Sequence, residues 1–420
     1  MNFMTFNNIS FQLKSEYVLI FIFSLSIFIS KAGLNIALAL SLIIMLAKTI
    51  NQSEFRYFIK TNLIAKLSMF CFSVGLIANL LSPMHFKGAG HFFAKAGFLL
   101  IFPLLIFIFS NQKIRKIAII SMLGGFVVAI IYSLTIFLSM EHWIGQRIGS
   151  FWTVGRWAEL LSYMSILCVI FLTKRKNSKL QQLILICILV LSIFCIALNG
   201  SRAAFLVLGL VVPVFILLHS KKLILPMILF SCIAISSVYV LYPDVVKQAE
   251  DRILSIKDLD KNTSNSSRLA SWKEGVLFQI NTIENTPITY ITGYGIDGFS
   301  EPLKKFLVDK GIFQHLLDYT ENQFSYRDHH NGLLNIISTS GIIYSTLFLY
   351  LIFTIYKTIH IHGYEPWLIF CKFLIITFML ISIFYTNFMD FQTIGVFFML
   401  AIGLGIVVEK ENNFVNNKNC

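Results

Sequence analysis

Residues 181–219 read QQLILICILVLSIFCIAL, then NGSR, then AAFLVLGLVVPVFILLH. Two uncharged apolar runs flank a four-residue turn, Asn199-Gly200-Ser201-Arg202. Each run approaches the roughly 20 residues a helix needs to cross the hydrocarbon layer, where every backbone amide must be satisfied within the segment. The same pattern recurs from end to end. Of the 420 residues, 56% are hydrophobic and 13% charged, and Phe alone accounts for 41; ordinary soluble domains carry roughly 25% charged residues. A water-soluble globule is excluded, and an all-α polytopic membrane protein is expected.

Twelve stretches qualify as spans: 17–30, 33–48, 62–82, 96–110, 117–139, 158–173, 181–198, 203–219, 223–242, 332–356, 365–387 and 391–408. The first two are short and share a break at Lys31, which suits a tilted pair or a hairpin. The chain divides into 1–242 with nine spans, a polar segment 243–331, and 332–420 with three spans and a short tail. With the N-terminus inside, the inner loops and tails hold sixteen Lys and Arg and the short outer loops six. The positive-inside bias therefore places both termini inside and segment 243–331 outside. The N-terminal run lacks a small-residue cleavage site and reads as a retained span.

The net charge of +13 does not imply nucleic acid, because the basic residues sit in small groups between apolar runs. Lys113, Lys174 and their neighbours suit anionic lipid. None of the seven Cys lies in the long polar segment, so neither a disulfide framework nor a CxxC metal site is expected.

The polar segment carries helical patterns. One opens at Pro243-Asp244; a second has Ser266 and Ser267 as cap candidates and Leu269, Trp272, Val276 and Ile280 on one face; a third begins at Pro302. A small helical cap over the outer ends of the spans is expected. Gly293-Tyr-Gly295-Ile-Asp-Gly298 fits GxGxxG, but without a βαβ context it reads as a tight glycine turn.

Four places can carry chemistry. Asp328-His329-His330-Asn331 stands before a span; adjacent helical residues do not share a face, so one His is expected to be structural and the other available as a base. Metal ligation by Asp328 and a His lacks a supporting ligand cluster. Arg202, in its short turn, either snorkels or grips an anion with its planar fork. Arg268 follows Ser266 and Ser267, where helix-start amides would join it in facing an anion. Arg147 and Arg156 flank Trp152 in an outer loop and suit sugar, phosphate or solvent.

Arg202 in LNGSRAA, Arg268 in SRLASW, the 293–298 glycine turn and His330-Asn331 occur in one order and on one expected face. Together they resemble the bacterial O-antigen ligase family of membrane glycosyltransferases, with the matches concentrated between Arg147 and Gly341. Arg147-Ile-Gly-Ser-Phe resembles that family's arginine-bearing outer loop less closely. Where members often carry His-X-His-Asn, this chain has Asp328 first and an extra His329 before the matching His330.

The resemblance implies a C-type glycosyltransferase fold of about 12 transmembrane helices with one large periplasmic loop, on the inner membrane, active on the periplasmic face, and without cofactor or required metal. It implies transfer of a glycan from undecaprenyl diphosphate to lipid A-core. Arg202 and Arg268 are then expected on the diphosphate, Arg147 and Asn331 beside the substrate, and His330 as catalytic base. An O-antigen polymerase is the nearest alternative, followed by a protein O-oligosaccharyltransferase and, from another class, a transporter using Lys66, Glu159, Lys372 or Asp390.

Overall fold

A computed structural model describes residues 11–143, 145–174, 177–223 and 263–418, and these are all-helical, with no strands. The elements are α1 Phe11–Ile29, α2 Lys31–Asn51, α3 Ser53–Thr61, α4 Leu63–Leu81, α5 His85–Ala96, α6 Phe98–Ile108, α7 Gln112–Leu138, α8 Val154–Lys174, α9 Lys179–Asn199 and α10 Arg202–His219. Then come α11 Thr263–Asn285, α12 Pro287–Thr292, α13 Ser300–Asp309, α14 Phe313–Tyr319, α15 Gly332–His362, α16 Pro366–Ser382 and α17 Phe391–Lys418.

Nine described helical segments are long and apolar enough to cross a membrane, α5 and α6 counting as one, and the shorter apolar parts of α1 and α16 add two. Eleven of the twelve expected spans therefore correspond to helices. The twelfth, 223–242, and the pattern opening at Pro243 lie outside the described residues. The chain is a multi-pass membrane protein. Large apolar side chains such as Ile43, Leu183 and Leu206 are exposed, which hydrocarbon tolerates and water penalises.

Helix α17 is the axis of the bundle, its apolar window almost wholly buried. Phe398 stacks on Phe23 of α1 at 4.9 Å, and Phe397 meets Phe98 and Phe102 of α6 at 4.7 and 5.0 Å. Aromatic contacts at these spacings add directional attraction to dense packing. Where α1 crosses α7, Gly125 lets the backbones approach; a Cβ there would sit 2.9 Å from the Leu25 carbonyl.

Several boundaries move. The break between the first two spans falls at Ser30, whose hydroxyl caps α2 by accepting from Gly33 N at 2.9 Å. The span expected from 96 is preceded by α5 and joins it at Gly97. The amphipathic helix α3, burying Phe55 and Phe58 while exposing Tyr57, was not anticipated. Ser266 and Ser267 lie inside α11 and are not its caps, and α13 starts at Ser300 with Pro302 in its first turn.

The span from Gly332 is broken at Gly341, whose φ of 78° leaves the helical region. The glycine turn docks into that break: Tyr294 N donates to Ser338 O at 2.8 Å and Gly295 N to Thr339 O at 2.9 Å. A side chain at Gly293 or Gly341 would strike the facing backbone. Asn79 of α4 closes the joint, accepting from Ile296 N at 3.1 Å and donating to Ser340 Oγ at 3.2 Å. The GxGxxG segment is thus the clamp between the cap, α11 to α14, and the membrane bundle. We call the end that carries α11 to α14 the cap end.

Candidate active site

The turn before α10 is built by small polar residues. Gly200, in the left-handed region at φ 63°, closes α9, and Ser201 caps α10. Asn199 donates to Ile148 O at 3.1 Å and Val154 O at 2.8 Å, which straps the 145–153 loop onto the turn. Arg147 Nε donates to Asn199 O at 3.0 Å. Arg147 and Arg202, the first residue of α10, therefore belong to one knot of backbone. Two residues from Arg147, Gly149 packs against Trp152, and Trp152 is buried with its Nε1 on Ile27 O at 3.0 Å.

Tyr385, in the turn after α16, joins this knot to the cap. Its hydroxyl lies 3.0 Å from Ser201 Oγ, and the Arg268 guanidinium of α11 sits over its ring at 5.6 Å. A cation over an aromatic face is held without losing its capacity to take an anion. The helix-start amides expected beside Arg268 are not there, because α11 begins earlier in the chain.

The two histidines part company. His329 is fully buried, stacked on Phe299 at 4.7 Å, with Nε2 at 2.8 Å from Ser338 Oγ. Burial pushes its pKa down to about 4, so the ring is neutral at physiological pH. Gly275 makes room for it; a Cβ there would lie 2.7 Å from His329 Nδ1.

His330 is held at φ 47° and a third of its side chain is exposed. Its Nδ1 lies 3.0 Å from Asp328 Oδ1, and its carbonyl accepts from Trp272 Nε1 at 3.2 Å. Burial lowers its pKa, Asp328 opposes that, and the Arg268 charge lowers it further; the net direction is down. A neutral imidazole near an arginine can take a proton from a hydroxyl. Asn331 caps α15 by accepting from Leu334 N at 3.0 Å and donates to Ile383 O at 3.3 Å, so both its side-chain groups are engaged within the fold.

Asp328 also lines a cavity of about 320 Å³ that reaches into the bundle between α15 and α17. Its charged walls are Lys31, Lys95, Arg156, Arg327, Asp297 and Asp390. Arg156 Nε pairs with Asp390 at 2.7 Å, and Lys95 reaches Asp297 at 3.4 Å. Lys31 and Arg156 both lie against the Phe391 ring, at 4.9 and 5.4 Å. Tyr385, Lys31, Lys95 and Arg327 were not singled out in the sequence as site residues. No group of three or more His, Cys, Asp or Glu able to hold a metal occurs among the described residues.

Residues 187–349 match the O-antigen ligase family. The matched stretch contains Arg202, Arg268, the glycine clamp with Gly341, and His330, but not Arg147 or Tyr385. It supports a place in the O-antigen ligase/polymerase superfamily, and with it activity of the ligase/polymerase type on lipid-linked glycans. A search of curated proteins found no match.

Proposed function

We propose that the chain is an O-antigen ligase that transfers a glycan from undecaprenyl diphosphate to lipid A-core, with the cap end on the periplasmic face of the inner membrane. The observation that carries this reading is a convergence. The Arg202 turn and Arg268 of the cap meet at Tyr385, and Arg268 is close enough to depress the His330 pKa. Basic residues crowd the other end of the helices, at Lys113, Lys116, Lys174 and Lys179, as the positive-inside bias asks of a cytoplasmic face.

Arg202 and Arg268 bind the diphosphate. Nucleotide sugars are absent outside the cytoplasm, so the donor arrives with its leaving group attached, and guanidinium forks offset the charge that grows on it. His330 takes the proton of the acceptor hydroxyl, whose oxygen enters opposite the departing diphosphate and inverts the anomeric carbon. Arg147, tied to the same knot as Arg202, contacts the donor head group. Asn331 acts by capping α15 and so fixing the His330 turn. The cavity beneath Asp328, with its cations, side-chain amide and Phe391 face, receives the acceptor sugar.

The test is a proteoliposome assay with undecaprenyl-diphosphate glycan, with and without lipid A-core, resolved by mass. Glycan on lipid A-core, lost in His330→Ala, supports a ligase. Longer lipid-linked glycan formed without lipid A-core would make the protein a polymerase, and no transfer to either acceptor would contradict both and point to a protein acceptor or a transporter.

A further inference from the structure

A neutral imidazole carries its proton on either nitrogen, and only the nitrogen without it can act as a base. At His330 the choice is made locally. Asp328 Oδ1 lies 3.0 Å from Nδ1 and accepts the His330 backbone N–H at 3.1 Å. A carboxylate can only accept, so a carboxylate oxygen this close favours the ring proton on Nδ1 and the lone pair on Nε2.

We propose that Asp328 is the positioning residue of the transfer reaction: it fixes the His330 tautomer with Nε2 as the base and offsets the charge of the imidazolium that forms. This rests on the transfer reading above. In the step, the acceptor O–H proton passes to Nε2 as the acceptor oxygen bonds to the anomeric carbon. The bond from that carbon to the diphosphate oxygen breaks, and its electron pair leaves with the lipid diphosphate. The imidazolium then holds one proton on each nitrogen, with the Nδ1 side 3.0 Å from the Asp328 carboxylate.

The backbone agrees with this role. His330 sits in the left-handed region, which a non-glycine residue occupies only when its surroundings over-determine it. Asp328 holds the N–H side of the peptide, Trp272 of α11 the carbonyl, and Asn331 begins α15 immediately after. The backbone that carries the ring is therefore held on both sides. The charged groups that face it are Asp328 on its own turn and Arg268 from α11; His329 is neutral above pH about 4 and is turned into the cap against Phe299. Asp328 in turn shares its cavity with Lys31, Lys95, Arg156, Arg327, Asp297 and Asp390.

Asp328→Asn separates this role from a structural one. Because one atom, Oδ1, faces both the backbone N–H and Nδ1, an amide oxygen in its place keeps both contacts and loses only the charge that offsets the imidazolium; elsewhere the equivalent exchange in a His–Asp pair costs about 10⁴-fold. In full-length protein in proteoliposomes, kcat should fall about 10²-fold or more, with the acid limb of its pH profile moving to lower pH because the neighbouring negative charge is gone. Asp328→Glu should restore the limb and part of the rate.

A second readout needs no turnover. Diethyl pyrocarbonate labels neutral imidazole, and the His330 peptide can be followed by mass as pH is varied, with buried His329 as the internal control. The labelling midpoint should drop by about one pH unit in Asp328→Asn. A folded Asp328→Asn protein with the wild-type midpoint, or with the wild-type rate and acid limb, would overturn the proposal. If the wild type transfers glycan to no acceptor, the transfer reading fails, and the labelling shift alone still decides whether Asp328 governs His330.

Discussion

The two ends of the bundle hold their arginines differently. Away from the cap, cations meet carboxylates across helix ends: Lys48 with Glu16 at 2.6 Å, Lys410 with Glu365 at 2.8 Å, and Arg115 with Glu409. Arg115 also donates to Phe109 O at 2.6 Å and Ser110 O at 3.0 Å, so its fork is filled. At the cap end Arg156 is likewise paired, with Asp390 at 2.7 Å, but Arg268 and Lys31 rest on aromatic faces and Arg147 on a carbonyl. A filled fork staples helices, whereas one held by a ring or a carbonyl is positioned and keeps donors for an anion. What holds an arginine, a carboxylate on one side or a ring or carbonyl on the other, decides what it is free to do.

The contrast can be broken most sharply at His330. His330→Ala should reduce transfer by about 10²–10⁴-fold, the usual value of a general base, while leaving thermal unfolding in detergent near that of the wild type. Equal turnover in the two proteins would remove the base. Its neighbour should behave inversely, because His329 serves stability. Its pKa is lowered in the fold from 6.5 to about 4, so the unfolded chain binds the extra proton. The stability it contributes is present above pH 6.5 and is lost as pH falls toward 4, by roughly 3 kcal/mol. Unfolding temperatures of wild type and His329→Gln across that range should converge at low pH; parallel curves would mean that His329 is protonated without cost. At the other end, Arg115→Met should lower stability by about 1–2 kcal/mol, the pair being partly exposed on the Glu409 side, with turnover per folded molecule unchanged. A loss of turnover there would show that the two ends are coupled.

Much of this division was legible in the sequence, for physical reasons. Spans such as 181–198 and 203–219 announce themselves because lipid leaves a segment no other way to satisfy its backbone. Arg202, Arg268 and His330 stood out because charged or titratable groups beside apolar spans need a reason to be there. What escaped depends on contacts distant in the chain. Helix α5 was hidden by its glycines and by His85, at φ 47°. The break at Gly341 makes sense only with Gly293 packed against it. Tyr385 sits in an ordinary stretch, FYTNF, and matters because Ser201 and Arg268 arrive from elsewhere. Ser266 and Ser267 misled because a cap residue and a residue inside a helix look alike when the preceding turn is polar.

The central claim is that the cap end grips a lipid diphosphate through Arg202 and Arg268. The most direct measurement is equilibrium binding of undecaprenyl-diphosphate glycan to the protein in nanodiscs, compared among wild type, Arg202→Lys and Arg268→Lys. Lysine keeps the charge and loses the planar fork, so the account predicts about tenfold weaker binding for each variant, on the order of one lost charge-assisted hydrogen bond. Unchanged affinity in both folded variants would contradict it.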